Sequence, residues 1–355
     1  MTETSRRVLV TGADTFWGAR ILRALEGDAA IEMLLGLTSS AAAGTFERAR
    51  LVCTEPTYSA LRGVVCSSQV DTVIHPAMIV GSVHASGHEI HEANVISTMN
   101  LLAAAGTSGS SVRHLVVKSS SLVYGSTRED PATFSEETPR SDVPRTDVER
   151  SLVEAEGLVD DFAHDNPSAT VALLRVADVL GAHIVTSITK NLSRPMCPCV
   201  GGFDPLVQFV HEDDVVRAVE LATRHRLAGT FNVAGPGRLP WSEVAAICKT
   251  RRLPLPPVRP ALAMAPLARL GIFDFPPELD ALLRYGRGMD TSRLVAAGFE
   301  YRYTSVGAVQ SFAHRLLHPA RSARAPLSAG TAPPPRPRSR GTPAPARRRG
   351  PRREP

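Results

Sequence analysis

Val8-Leu-Val-Thr-Gly12-Ala-Asp-Thr-Phe-Trp-Gly18 reads as a short apolar strand, a tight turn and the start of a helix. The apolar run covers Arg7–Thr11, and the stretch from Phe16 to Leu25 is amphipathic. The template behind the turn is T-G-x-x-G-x-x-G. Gly12 permits the turn, Gly18 permits close packing of helix on strand, and the helix N-terminus offers free N–H groups to a pyrophosphate. Thr15 stands where the middle glycine belongs. Its β-branched side chain narrows the approach to a phosphate, while its hydroxyl is placed to cap the helix or touch that phosphate. Taken alone, the motif divides evenly between a nucleotide-binding turn and a plain strand–turn–helix.

Outward from this turn, apolar runs recur at Ile31–Leu37, Leu51–Cys53, Asp71–His75, Val112–Lys118 and Thr170–Val176. Helical segments separate them. One runs up to Ala105, and Val148, Leu152, Ala155, Val159 and Phe162 step by four and three along one face of another. Strands alternating with helices predict parallel βαβ units, hence an α/β, doubly wound sheet covered on both faces. After Gly181 the pattern loosens. Pro195, Pro198 and Pro205 interrupt it, and Pro254–Pro260 is a proline-rich connector. Helical pieces are expected at Asp213–Arg224, Ser242–Lys249 and Pro277–Tyr285. There is no internal repeat.

The chain has 355 residues, 43% of them hydrophobic and 21% charged, enough for one large domain or two fused ones. Residues 319–355 carry ten Arg and one acid, a net +9. The whole chain is +5, which leaves −4 for residues 1–318. The mildly acidic body gives no basis for a nucleic-acid-binding reading. Pro, Arg, Ala, Ser, Gly and Thr make up nearly all of the tail, so it is expected to be disordered and to bind acidic partners only weakly. No uncharged apolar stretch reaches ~18 residues, so no transmembrane segment is expected. Met1–Arg7 is polar and unlike a secretory signal. Five irregularly spaced cysteines exclude a disulfide framework and point to a reducing, cytoplasmic setting. Three lysines stand against 37 arginines, the mark of a GC-rich genome.

Further segments, in order, support a resemblance. They are Asp71-Thr-Val-Ile-His75-Pro76-Ala77, Glu92-Ala-Asn94-Val, Ser119-Ser120-Ser-Leu-Val-Tyr124-Gly125, Leu174-Arg175-Val-Ala177-Asp178-Val-Leu-Gly181, Phe209-Val-His211-Glu-Asp-Asp214-Val, and Asp290-Thr-Ser-Arg293 with Gly298-Phe299. Together they resemble the extended short-chain dehydrogenase/reductases, in the NAD-dependent epimerase/dehydratase branch, with the UDP-galactose 4-epimerase group as the nearest named relative. The resemblance runs from about Arg7 to about Phe312. It implies a Rossmann-type NAD(P)-binding domain over residues 1–180, a substrate-binding part over 181–318 interleaved with late Rossmann elements, and the tail, 319–355. It implies NAD as cofactor, without excluding NADP. The cofactor-binding positions are Gly12, Thr15, Phe16, Trp17, Gly18, Thr38, Glu55, Pro76, Ala77, Asn94, Arg150 and Ala177. Thr38 replaces the acid that ends the second strand and binds the adenosine ribose, and no arginine follows it to hold a 2′-phosphate. A homodimer through residues 84–105 and 146–164 is likewise implied.

The family's chemistry needs a Ser or Thr after the fifth strand, a Tyr that moves the proton, and a Lys four residues on that lowers the Tyr pKa. Ser120 fits the first role. On the helix expected to begin near Pro144, aligned by its E-x-E-G, Thr146 takes the Tyr position and Arg150 the Lys position. No Tyr-x-x-x-Lys occurs in the chain. Tyr124 is the one tyrosine close enough to substitute, and a packing role is the reading preferred for it. Substrate-binding positions are Ser120, Tyr124 and Asp178. Asp178 replaces an Asn and would oppose a diphosphate. His211-Glu-Asp-Asp214 reads as a helix N-terminus and Cys197-Pro-Cys199 as thiols in a loop, so no metal is expected. Two readings remain: an epimerase-like oxidoreductase on a sugar nucleotide or similar alcohol, with degenerate acid–base groups, or a non-catalytic dinucleotide-binding regulatory or scaffold protein.

Overall fold

A computed structural model of the chain describes residues 6–40, 44–81, 85–258, 260–270 and 272–318. The expectation for the tail, 319–355, lies outside the described residues. The first half alternates β1 (Arg6–Val10), α1 (Phe16–Leu25), β2 (Ile31–Thr38), β3 (Arg50–Cys53), α2 (Tyr58–Ser68) and β4 (Thr72–His75). Then come α3 (Gly87–His91), a π-helical turn at Glu92–Ile96, α4 (Ser97–Ala105), β5 (His114–Ser120), a 3-10 turn at Ser121–Tyr124, α5 (Asp147–Asp165) and β6 (Thr170–Val176). The second half holds β7 (Asp178–Leu180), α6 (Ser187–Leu192), β8 (Met196–Val200), β9 (Leu206–Val207), β10 (Phe209–His211), α7 (Glu212–His225) and β11 (Gly229–Val233). It ends with β12 (Leu239–Pro240), α8 (Trp241–Ile247), β13 (Arg251–Leu255), α9 (Pro260–Arg269), α10 (Pro277–Tyr285), α11 (Ser292–Ala296) and α12 (Ser305–Leu317).

Seven parallel strands form the main sheet in the order β11-β6-β5-β4-β1-β2-β3. The order reverses between β1 and β4. That switch point opens a crevice beyond the strands' C-terminal ends, where doubly wound folds bind ligands. Val8, Leu9, Val10, Val73, Ile74 and Leu115–Val117 are buried on both faces, as near-continuous apolar runs in a parallel sheet require. A second core gathers Leu180, Phe209, Trp241, Leu282 and Phe312 beneath the C-terminal elements. The pairing of β11 with β6 was not anticipated, because Gly-Thr-Phe-Asn-Val is short and half polar.

Two local readings change. Cys197 and Cys199, expected in a loop, lie on β8, which pairs in parallel with β13 despite Pro198 and Pro254. A two-stranded sheet has free edges, where a missing N–H costs no ladder bond. Both thiols are buried, and burial pushes Cys197 up to about 11. The helix expected near Pro144 starts at Asp147, because the Thr146 hydroxyl accepts from the Glu149 N–H and makes Thr146 the N-cap.

Candidate functional site

The β1–α1 turn is built for close approach. Gly12 has φ +64°, and a Cβ there would lie 2.7 Å from Ala77 Cβ. A Cβ on Gly18 would fall 2.0 Å from the Gly12 carbonyl oxygen, so any side chain would lever α1 off β1. Thr15 is buried as the N-cap. Its hydroxyl donates to Gly12 O at 2.7 Å and accepts from Gly18 N at 3.1 Å. The N–H groups of Phe16 and Trp17, first in α1, have no acceptor among the described residues and remain available to an anion.

At the end of β2 the Thr38 side chain is turned inward and bonds Ser40, so it offers little to a ligand. The next residue, Ser39, donates at 3.2 Å to Asp14 Oδ2. A carboxylate therefore does stand at this strand end, supplied by the β1–α1 turn. Sequence reasoning missed Asp14, which lies inside the glycine template where no acid is sought. Glu55 is exposed in the segment after β3.

Beyond β4, buried His75 is held between the Thr11 hydroxyl at 2.7 Å and the Thr98 hydroxyl at 3.1 Å. Burial lowers its pKa to about 4. Pro76 and Ala77 follow in the turn that abuts Gly12. Asn94, in the π-helical turn, spends its amide on the protein: it accepts from Ile79 N and donates to Ile79 O and to Ser151 Oγ. It thereby ties the loop after β4 to α5 and positions Ile79, which lines the cavity.

That cavity, of about 390 Å³, opens over the C-terminal ends of β5 and β6. Trp17, Ser120, Ala177 and Asp178 all line it, so the structure brings these four sequence-predicted residues together. Lys118, also on its wall, was not singled out from the sequence. Its signal was the two-residue period of a strand, which puts it on the same face as Ser120. Burial raises the Asp178 pKa, and Arg287, 3.8 Å away, opposes that shift. Lys190 pairs with Asp274 at 2.9 Å on the same wall.

The structure does not bring Thr146, Arg150 or Tyr124 to this cavity. The Thr146 hydroxyl is engaged in capping. Arg150 pairs with Asp147, and its side chain is 55% exposed. The inward face of α5 presents Val148, Ser151, Leu152, Ala155 and Val159. At about 100° per residue, Arg150 lies roughly 200° around from Val148, on the solvent side. The buried i and i+4 pairs of α5 include Val148 with Leu152 and Leu152 with Glu156; the Glu156 carboxylate is committed to Arg175, and no α5 residue lines the cavity. Tyr124 stacks on Phe134 at 4.9 Å between centroids, donates to Asn232 Oδ1 and accepts from Arg175. Arg175 also grips buried Glu156 through two nitrogens, at 2.7 and 3.0 Å. In the segment from His211 to Asp214, His211 caps α7, Glu212 pairs with Arg20, and Asp214 accepts the Arg302 and Tyr303 N–H groups.

A doubly wound sheet with a glycine turn at its switch point and a cavity beyond β5 defines a dinucleotide-binding α/β protein in outline. A model of the NAD dependent epimerase/dehydratase family matches residues 8–234, and the chain belongs to that family. An uncharacterized protein of Mycobacterium tuberculosis is 31% identical over 313 residues, covering 86% of this chain and 82% of its own length. Among solved structures, UDP-N-acetylglucosamine 4-epimerase from Bacillus cereus superposes with a TM-score of 0.65 at 19% identity, over 88% of this chain and 99% of that one. UDP-glucuronic acid 4-epimerase from Bacillus cereus, in complex with NAD, gives 0.66 at 16% identity, with coverages of 88% and 99%. UDP-glucose 4-epimerase from Thermotoga maritima, with UDP-glucose, gives 0.67 at 15%, again over 88% and 99%. At these identities the likeness establishes the fold.

Proposed function

We propose that the protein binds NAD and, in the cavity beside it, an alcohol or carbonyl ligand such as a sugar nucleotide, and that α5 contributes no acid–base pair. The observation that carries this reading is the cavity itself, whose wall brings Trp17 of the nucleotide turn together with Ser120 and Asp178. The turn fits a dinucleotide: Gly18 has no room for a Cβ, and the Phe16 and Trp17 N–H groups lack acceptors among the described residues. Gly12, Phe16, Trp17 and Gly18 would hold the pyrophosphate, Asp14 with Ser39 the adenosine ribose, and Pro76, Ala77 and Ala177 the remaining wall. NAD and UDP-sugars named with solved relatives support the same assignment. Bound there, NAD supplies reversible two-electron oxidation of an alcohol carbon. Ser120 would hold the ligand oxygen. We also place the protein in the cytoplasm as a homodimer through α4 and α5.

The second reading, a non-catalytic dinucleotide-binding regulatory or scaffold protein, is favoured by the lack of any α5 residue on the cavity wall. Loss of a positioned acid–base group typically removes ~10²–10⁴-fold of rate. Titration of NADH by fluorescence, with turnover assays on UDP-glucose and UDP-N-acetylglucosamine, separates the possibilities. NADH binding with slow turnover upholds the first reading. Binding without turnover of any tested alcohol moves the protein to the second. Failure to bind either NADH or NADPH at millimolar concentration removes both.

A further inference from the structure

Lys118 lies two residues before Ser120 on β5, so both side chains leave the same face of the sheet and both line the cavity. It is 3% exposed, with Nζ 5.3 Å from the centre of the Trp17 ring. Among the described residues no carboxylate lies within ion-pair distance of it. Buried ammonium groups are rare without such a partner. This chain uses arginine for 37 of its 40 strong bases, yet holds a lysine at this position. Arginine would stay charged there, whereas a lysine amine titrates once it is buried.

The charged groups that face this space are accounted for. Asp178 is 3.8 Å from Arg287, Lys190 pairs with Asp274, and Glu278 comes from α10 with Leu279 and Leu282. From β4, His75 is bonded on both ring nitrogens. From β6 the register partner of Lys118 is Leu174, while Arg175 is committed to Glu156. Burial alone lowers the Lys118 amine, to about 8. Near neutral pH both of its protonation states are therefore populated, which is what a proton-exchanging group needs. The rest of the wall is largely apolar: Ile79, Leu122, Val176, Ile188, Leu279 and Leu282.

We propose that Lys118 is the acid–base amine of this cavity, delivered from β5 in place of a pair on α5, and that it exchanges a proton with the hydroxyl of an apolar-bodied alcohol whose oxygen Ser120 holds. In that step the ligand O–H bond breaks, its proton joins the Nζ lone pair, and the bonding electron pair stays on oxygen. The reverse step reprotonates the oxygen. The proposal deepens the reading of the cavity as an alcohol site and rests on it.

Trace acetylation of the wild-type protein with acetic anhydride across a pH series, read by peptide mass spectrometry, follows all three lysines at once. Lys118 reactivity is expected to rise with a midpoint near pH 8. A midpoint at about 10.4, the ordinary lysine value, or no reaction at any pH, overturns the proposal. The bicyclic alcohol 1-indanol should slow acetylation of Lys118 several-fold and leave Lys249 unaffected. Protection by UDP-glucose but not by 1-indanol would overturn the apolar-ligand part. Tryptophan emission of the wild type should step near pH 8, through Trp17 beside the amine, and the step should vanish in Lys118→Met; no step in wild type, or its persistence in the variant, would count against the amine. If NADH fails to bind wild type while Lys118 titrates near pH 8 and is protected by 1-indanol, the dinucleotide reading falls and the amine stands. If NADH binds and the Lys118 midpoint lies at about 10.4, the amine falls and the dinucleotide reading stands.

Discussion

Asp14 shows how much a single side chain depends on its neighbours. In sequence it fills an unrestricted position of the glycine template, and Thr38 stands where the ribose-binding acid is expected. In space its carboxylate accepts from Ser39 at the end of β2, beside the place the missing acid would occupy. Hydrogen bonds to a charged group contribute about 1.5–3 kcal/mol, so Asp14→Asn should weaken NADH binding roughly tenfold or more. NADPH should lose less, because the carboxylate repels a 2′-phosphate. Parallel fluorescence titrations of the two cofactors check this, and equal affinities in wild type and variant would place the ribose elsewhere. Lys118 belongs to the same lesson. Its apolar run reads as a strand, but only the strand's alternation, combined with knowing which face is the crevice, makes it a site residue.

Among the secondary-structure elements, β4 and the π-helical turn act together. His75 at the end of β4 spans Thr11 of the glycine turn and Thr98 of α4, while Asn94 of the π turn holds Ile79 and Ser151. Three elements are thus pinned beneath the crevice. His75 has its pKa lowered to about 4, so the unfolded chain takes up the proton first as pH falls. The stabilisation is complete above the unfolded value of about 6.5 and is lost as pH drops toward 4. Between pH 7 and pH 5 this residue alone should remove about 2 kcal/mol of stability. His114, lowered to about 4 mainly by burial, adds a loss of the same sign. Urea unfolding at both pH values should show the slope, and His75→Gln should flatten it. An unchanged slope in that variant would show that other groups dominate.

For the molecule as a whole, α4 and α5 pack side by side and expose Met99 (44%) and Val153 (37%). A homodimer across these helices predicts a two-chain mass in sedimentation equilibrium and a monomer for Met99→Glu with Val153→Glu. A monomeric wild type removes the dimer. Ending the chain after His318 takes away a net +9 and leaves −4. The shortened protein should lose retention on an anionic matrix such as heparin at low salt. Retention unchanged by the truncation would locate the binding on the body.

The local sequence determined the β1–α1 turn, the run of parallel strands, the placement of Ser120 and the lack of a Tyr-x-x-x-Lys pair. Each of these follows from side-chain periodicity, the freedom of glycine or simple residue identity, all of which act over a few positions. The tertiary structure decided which face of α5 meets the sheet, and so turned Arg150 to solvent and Val148 and Leu152 inward. It also decided that Asp14 stands at the strand end where Thr38 lacks an acid, that Asn94 serves the loop at Ile79, and that the Lys118 amine is buried in an apolar cavity. Those outcomes depend on burial and on partners 15 to 57 residues away in the chain, so they exist only once the sheet has closed and the helices have packed against it.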